Sequence, residues 1–392
     1  MSERFCFIGN PGPHKSEMLE ILRSAGLHPT RVEPSAEGIE ELLAEPPAAV
    51  AIGADVDNRA ALIVGLRERS ALDGVPLLAR VPEPDSNLVE AAFLDGADDV
   101  LIDGAIAQFS ALVSQISDRD SWDAVRAPAG MVLLADADRK ERIRLGHVLR
   151  RNGFDLRFAA STSELESWLS EEDEPRAVVA SAELPGGSLA EVFTRVAGER
   201  RSRSPWVVVN AVEEVRDAIA ERSGESLRVV FDSGRSAERI TFLMNELLAP
   251  EPQRERRTPR LLYETLVTFV HEESMAHFFG HSYNVNLGGL FIRTLTPPPS
   301  QSRIEIRFRP PCGRGAVVGV AQVVWRREFA AAEGPASPPG VGVQFVEWSP
   351  ADSAGYEGGY NSLLEMHGVE TRAPAASDMP TAYPPRPPYY TA

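Results

Sequence analysis

Residues 5 to 116 alternate short apolar runs with helical patterns, and the same order returns from Met131 to Leu248, about 125 residues further on. In the first stretch Phe5 to Ile8, Ala48 to Ile52, Val75 to Ala79 and Val100 to Ile102 read as strands, with a helix from Lys15 to Ala25. In the second, Met131 to Ala135, Arg176 to Ala180, Trp206 to Val209 and Arg228 to Phe231 are strands, with a helix from Arg139 to Arg151. Strands that alternate with helices demand βαβ crossovers and hence a parallel sheet. The repeat is too long for a solenoid and suits two sibling α/β domains, 1–117 and 131–248, joined by a polar linker at 118–130.

After a second proline-containing linker at 249–255 the pattern changes. Leu261 to His271, Phe278 to Asn284, Gly289 to Arg293, Arg303 to Arg309, Val317 to Arg326 and Val341 to Val346 are β-rich and separated by Pro and Gly. Such runs predict a small antiparallel barrel of about 100 residues. Tyr356, Tyr360, Leu363, Leu364 and Met366 recur near helical spacing, so residues 350–368 should pack on the barrel and complete a domain at 256–368. Residues 369–392 are rich in Pro and Ala, cannot bury a core, and read as a disordered tail sampling polyproline geometry.

With 392 residues and a formal net charge of −17, the chain meets long-range repulsion from any polyanion. DNA and anionic membranes are therefore unfavourable partners, although a local basic pocket for one small anion stays open. Cys6 and Cys312 are too few for a disulfide framework, and neither a signal peptide nor a membrane-spanning apolar stretch is visible, so a cytoplasmic location is expected.

Two short pieces carry recognisable chemistry. Arg256 and Arg260 lie four residues apart across a proline, and each guanidinium offers a planar fork of donors suited to phosphate oxygens or the O6/N7 edge of guanine. Asn284-Val285-Asn286-Leu287-Gly288-Gly289 forms the other. Together they suggest a small anionic purine ligand. His277 and His281, four apart in strand-rich sequence, share no helical face and lack a Cys or acid to complete a metal set, so they read as ordinary surface or barrel histidines. The loop Gly9 to Ser16 ends in Lys15-Ser16 like a phosphate-binding loop, but His14 replaces the glycine that would let the backbone wrap a phosphate, leaving a proline-rich turn.

The two sibling domains resemble the receiver domains of bacterial response regulators, which have flavodoxin-like five-stranded sheets. The resemblance rests on Val132-Leu133-Leu134-Ala135-Asp136-Ala137-Asp138 and on Ala177 to Gly186. It implies an acidic pair for Mg²⁺ after the first strand, a phosphoaccepting Asp after the third and a Lys after the fifth. Both copies depart from this. In the second, Asp136 keeps one acid, Ala137 replaces its neighbour, Ser181 stands at the acceptor position and Asp232 at the Lys position; in the first, Gly53 and Asp103 stand at the last two. Both therefore read as degenerate receivers kept for docking, with no metal.

Residues 256 to 349 resemble a PilZ domain, the bacterial receptor module for cyclic di-GMP, through Arg256-x-x-x-Arg260 and the Asn284 to Gly289 motif, in which Asn286 replaces a serine. The run Gly340-Val341-Gly342-Val343-Gln344-Phe345 supports it, especially in the style of myxobacterial paralogues. The resemblance implies that Arg256 and Arg260 hold phosphate and guanine, that Asn284 and Asn286 reach guanine from the barrel, and that Gly288 and Gly289 allow close approach. The expected protein is a signalling molecule without catalysis or cofactor, taking cyclic di-GMP and unidentified proteins as partners, with a homodimer open. The alternatives are a scaffold whose PilZ domain takes no ligand, and a phosphorelay regulator.

Overall fold

The computed structural model describes residues 3–67, 69–72, 74–117, 130–151, 153–171, 174–198, 204–223, 229–232, 237–248, 258–271, 275–313, 315–327 and 338–366. The expected linker at 118–130, apart from Gly130, the linker at 249–255, Arg256 and the tail at 369–392 lie outside them.

The first α/β unit runs β1 (Arg4–Ile8), α1 (Lys15–Ser24), β2 (His28–Val32), α2 (Ala36–Ala44), β3 (Ala49–Ile52), α3 (Arg59–Arg67), β4 (Leu77–Val81), α4 (Ser86–Leu94), β5 (Asp99–Ile102) and α5 (Ile106–Ser117). The second repeats the order with β6 (Met131–Ala135), α6 (Arg139–Arg151), β7 (Asp155–Ala159), α7 (Thr162–Leu169), β8 (Ala177–Ser181), α8 (Leu189–Gly198), β9 (Trp206–Val209), α9 (Glu213–Ser223), β10 (Val229–Asp232) and α10 (Ala237–Leu248). Each unit builds a five-stranded parallel sheet, ordered β2-β1-β3-β4-β5 and β10-β9-β8-β6-β7. Central strands such as β3 and β9 are buried at every position, because helices cover both faces. Two strands escaped the sequence reading, β2 (HPTRV) and β7 (DLRFA). Both are edge strands, where polar and charged residues are tolerated and no apolar run marks them. Strand β4 sits two residues later than expected, because its apolar run continues through Arg80 to Val81.

The third unit contains β11 (Leu261–Leu262), β12 (Leu266–His271), β13 (His277–Asn286), β14 (Gly289–Arg293), β15 (Arg303–Phe308), β16 (Val317–Arg327), β17 (Gly340–Trp348) and α11 (Pro350–Met366). Six of these strands close a ring in the order β12-β13-β14-β17-β16-β15, all antiparallel, with β11 added along β13. The first expected strand is thus broken into β11 and β12, and the Ser282 side chain fills the break by accepting from Thr265 N–H (2.9 Å) and donating to the Tyr263 carbonyl (2.5 Å). Alternating burial along β15 shows one face turned into the barrel. Tyr356, Tyr360, Leu363 and Leu364 of α11 join Phe269, Ile306, Phe308 and Val341 in one core, while Met366 stays exposed. No helix among the described residues is long and apolar enough to cross a membrane.

The barrel is packed against the edge of the first sheet. Leu266 and Leu295 enter the two apolar clusters of that unit. The Gln108 carboxamide on α5 pairs with the Phe279 backbone in both directions, donating to its carbonyl and accepting from its N–H, each at 3.1 Å. Asp99, wholly buried at the start of β5, accepts from Leu295 N–H (2.6 Å) and the Thr294 hydroxyl (3.2 Å). Desolvation pushes its carboxyl up to about 7, against the pull of these bonds. Phe93 on α4 stacks on His281, ring centroids 4.8 Å apart, and carries the Arg293 guanidinium 4.7 Å from its own centroid.

His281 is fully buried there, and desolvation, helped by the Arg293 charge, lowers its imidazole to about 3. A folded value below the free one favours the neutral form. The group therefore adds no pH-linked cost above about pH 6.5, and below it the fold loses stability as pH falls toward 3, because the unfolded imidazole takes up the proton first. Phenylalanine at this position cannot titrate. Thermal unfolding followed from about pH 7 to about pH 5 should therefore show His281→Phe gaining on the wild type by about 2 kcal/mol; a constant difference between the two would refute the buried, neutral imidazole.

Candidate functional site

In the first α/β unit the loops at the C-terminal ends of the strands are closed by the protein's own charges. Arg80 extends from β4 to Asp103, forming two bonds of 2.6 and 2.7 Å, and donates a third (2.7 Å) to the Asn10 carbonyl. Its guanidinium lies directly under Gly12, where a Cβ would come within 2.6 Å of it; only a glycine at φ +104° fits. The Lys-Ser loop therefore wraps an arginine. Asp55 folds back over Gly53, whose hypothetical Cβ would lie 2.3 Å from the carboxylate, and accepts from Asn10 N–H at 3.0 Å. Arg80 was missed in the sequence because it interrupts an otherwise apolar strand, and that interruption was the available signal.

In the second unit, buried Asp136 accepts from Asp138 N–H (2.8 Å) and Asp138 from Lys140 N–H (2.8 Å), so these carboxylates organise the start of α6. Ser181 is buried at the end of β8 and accepts from Glu183 N–H (3.3 Å). Asp232 ends β10 paired with Val209. Among the described residues no three His, Cys, Asp or Glu side chains gather as a metal site.

The barrel motif is assembled around the β13–β14 hairpin. Asn284 and Asn286 are half-buried near the end of β13, and Gly288 is exposed in the turn. The Asn286 carboxamide oxygen accepts from Gly288 N–H at 2.9 Å, an Asx-type bond that a serine could also make. Gly289 is required by the barrel itself, since a Cβ there would stand 2.0 Å from the Val343 carbonyl oxygen of β17. The β11–β13 register pairs Leu261 with Val285 and Leu262 with Asn284, so the chain leading into β11 brings Arg260 alongside the Asn286 end of β13.

Helix α11 fixes both sides of this arrangement. Tyr360 donates to the Pro259 carbonyl (2.6 Å) and Tyr356 to the Asn286 carbonyl (2.7 Å). The tyrosines lie one helical turn apart, and burial raises both phenols well above their ordinary value. The sequence placed them on the core face of the helix but gave no sign of where their hydroxyls would bond.

Residues 254–355 match the model of the PilZ domain family, and this part of the chain is a PilZ domain. It follows two α/β units of flavodoxin-like fold. No curated protein matches the chain. Among solved structures, a putative two-component system response regulator/GGDEF domain protein is 13% identical, with 63% of this chain and 99% of that one covered and a TM-score of 0.30. The PilZ domain with c-di-GMP of YcgR from Escherichia coli is 18% identical over 29% of this chain and 94% of that one, TM-score 0.23. The Bacillus subtilis inhibitor of motility MotI/DgrA is 16% identical over 30% of this chain, TM-score 0.24, and the chain spans about half (54%) of its length.

Two stability effects follow. Asp103→Ala strands the Arg80 charge, and with 19% of the Asp103 side chain exposed the loss should be about 2–3 kcal/mol in urea unfolding, below the value for a fully sequestered pair. Tyr360→Phe and Tyr356→Phe each remove one hydrogen bond to a carbonyl and should cost about 1 kcal/mol; unchanged melting in either would show that the hydroxyl bond does not form.

Proposed function

We propose that the chain is a non-catalytic cytoplasmic signalling protein that binds cyclic di-GMP through residues 256–368 and passes this to protein partners through two degenerate receiver-like domains, 1–117 and 131–248. Arg256 and Arg260 engage phosphate and guanine. Asn284 and Asn286 bond guanine edges, with Gly288 keeping the hairpin open to the ligand and Gly289 the barrel tight beneath it.

The observation that carries this reading is the register of β11 on β13, which brings Arg260 to the Asn284–Asn286 edge inside a matched PilZ domain. An arginine beside a half-buried pair of carboxamides offers fork donors for a phosphate or guanine O6/N7, and mixed donors and acceptors for the rest of the base edge. The turn bond through the Asn286 oxygen leaves its amino group as a donor for that edge. No input from phosphorylation is assigned to the receiver-like domains, since Asp103 already holds Arg80 and Ser181 replaces the acceptor.

Isothermal titration of the full chain with cyclic di-GMP tests the reading. Micromolar or tighter binding is expected, weakened about tenfold or more in Arg260→Ala, since a charge-assisted bond of about 1.5–3 kcal/mol is lost. Absence of heat in the wild type would favour the ligand-free scaffold.

A further inference from the structure

The contact between the first α/β unit and the barrel is built unlike a permanent core. Its central polar groups come in pairs that cross it: Asp99 with Leu295 and Thr294, and Gln108 with Phe279. On separation each can exchange its partner for water at small net cost. Between them sits His281, fully buried, with neither ring nitrogen hydrogen-bonded to any described residue. An imidazole always presents at least one N–H, and leaving that donor and the second nitrogen dry penalises the docked state. A phenyl ring could stack on Phe93 in the same way without the penalty.

We propose that the first receiver-like domain is a releasable clamp on the barrel, and that His281 sets how readily it lets go. The docked domain grips β13 at Phe279 and His281 and the chain beyond β14 at Thr294 and Leu295. Release uncovers Phe93, Leu266 and Leu295, all buried in the docked form. The buried desolvated Asp99 acts in the same sense as His281, since a freed carboxylate regains water. The inference does not depend on which ligand the barrel takes, because every group invoked lies in the interface itself.

Hydrogen exchange of the full chain, read by mass spectrometry on peptides covering α4–β5 and β13, tests the clamp. Exchange at the interior strands β1 and β3 and at β15 and β16 reports whether each unit stays folded. In the wild type the interface peptides should exchange faster than these interior strands. His281→Phe should slow the interface by about tenfold or more. Gln108→Ala, which breaks the paired backbone bonds, should speed it while β1, β3, β15 and β16 keep their protection. Interface peptides as protected as the interior strands in the wild type, or a His281→Phe interface that exchanges at an unchanged or higher rate, would overturn the proposal.

Discussion

Strand β13 is the piece on which the arrangement of the three units depends. Its backbone pairs with β12, β11 and β14, and its ten residues touch both α/β units as well as carrying the candidate ligand motif. What makes this combination feasible is a bulge. Ser282 pairs with Ile292 and Asn284 with Phe291, so Tyr283 is an extra residue that breaks the two-residue alternation. Before it, His281 faces Phe93 of the first unit. At the bulge, Tyr283 meets Phe242 of α10, with ring centroids 5.8 Å apart, and Phe291 at 6.0 Å. After it, Asn284 pairs with Leu262 and Asn286 lies beside the chain that enters β11. A regular strand would have offered only two faces for three tasks.

The two α/β units have flavodoxin-like sheets, and the protein's own groups meet acidic side chains at the ends of the strands. A receiver's acidic cluster needs an external cation, because adjacent carboxylates repel. In the first unit a single arginine supplies the positive charge from within, bridging β4, the loop after β5 and the loop after β1. In the second, Asp136 and Asp138 each give one carboxylate oxygen to a backbone N–H at the start of α6. Both solutions stiffen the strand ends without any ligand. A fold stabilised this way has its edges and helices available for docking, and the first unit uses β5, α4 and α5 for that purpose.

Fold class was legible because the strongest signals, continuous apolar strands and alternating barrel strands, are local. Edge strands β2 and β7 were not, since Thr30, Arg31, Asp155 and Arg157 reveal no period that a loop could not share. The candidate site was legible as a motif and not as a geometry: nothing in Asn284 to Gly289 says that Gly289 is reserved for the Val343 carbonyl, or that Asn286 closes a turn. Least visible was the contact between units. Gln108 meets Phe279 across 171 positions, and Asp99 meets Leu295 across 196. An acid opening a strand looks like a solvated strand end until its partner is placed.

Helix α11 shows why such long-range ties matter for recognition. A loose arginine arm must lose conformational freedom when it closes on an anion, and that loss subtracts from affinity. Here Tyr360 already holds the Pro259 carbonyl, one residue before Arg260, while Tyr356 holds the Asn286 carbonyl on the opposite side. Both phenols belong to the barrel core with Phe308 and Phe345, so hydrophobic burial fixes the chain at Pro259, next to Arg260, before any ligand arrives. Arg260 and Asn284, 24 residues apart in the chain and proposed to meet one ligand, are thereby positioned from the same helix.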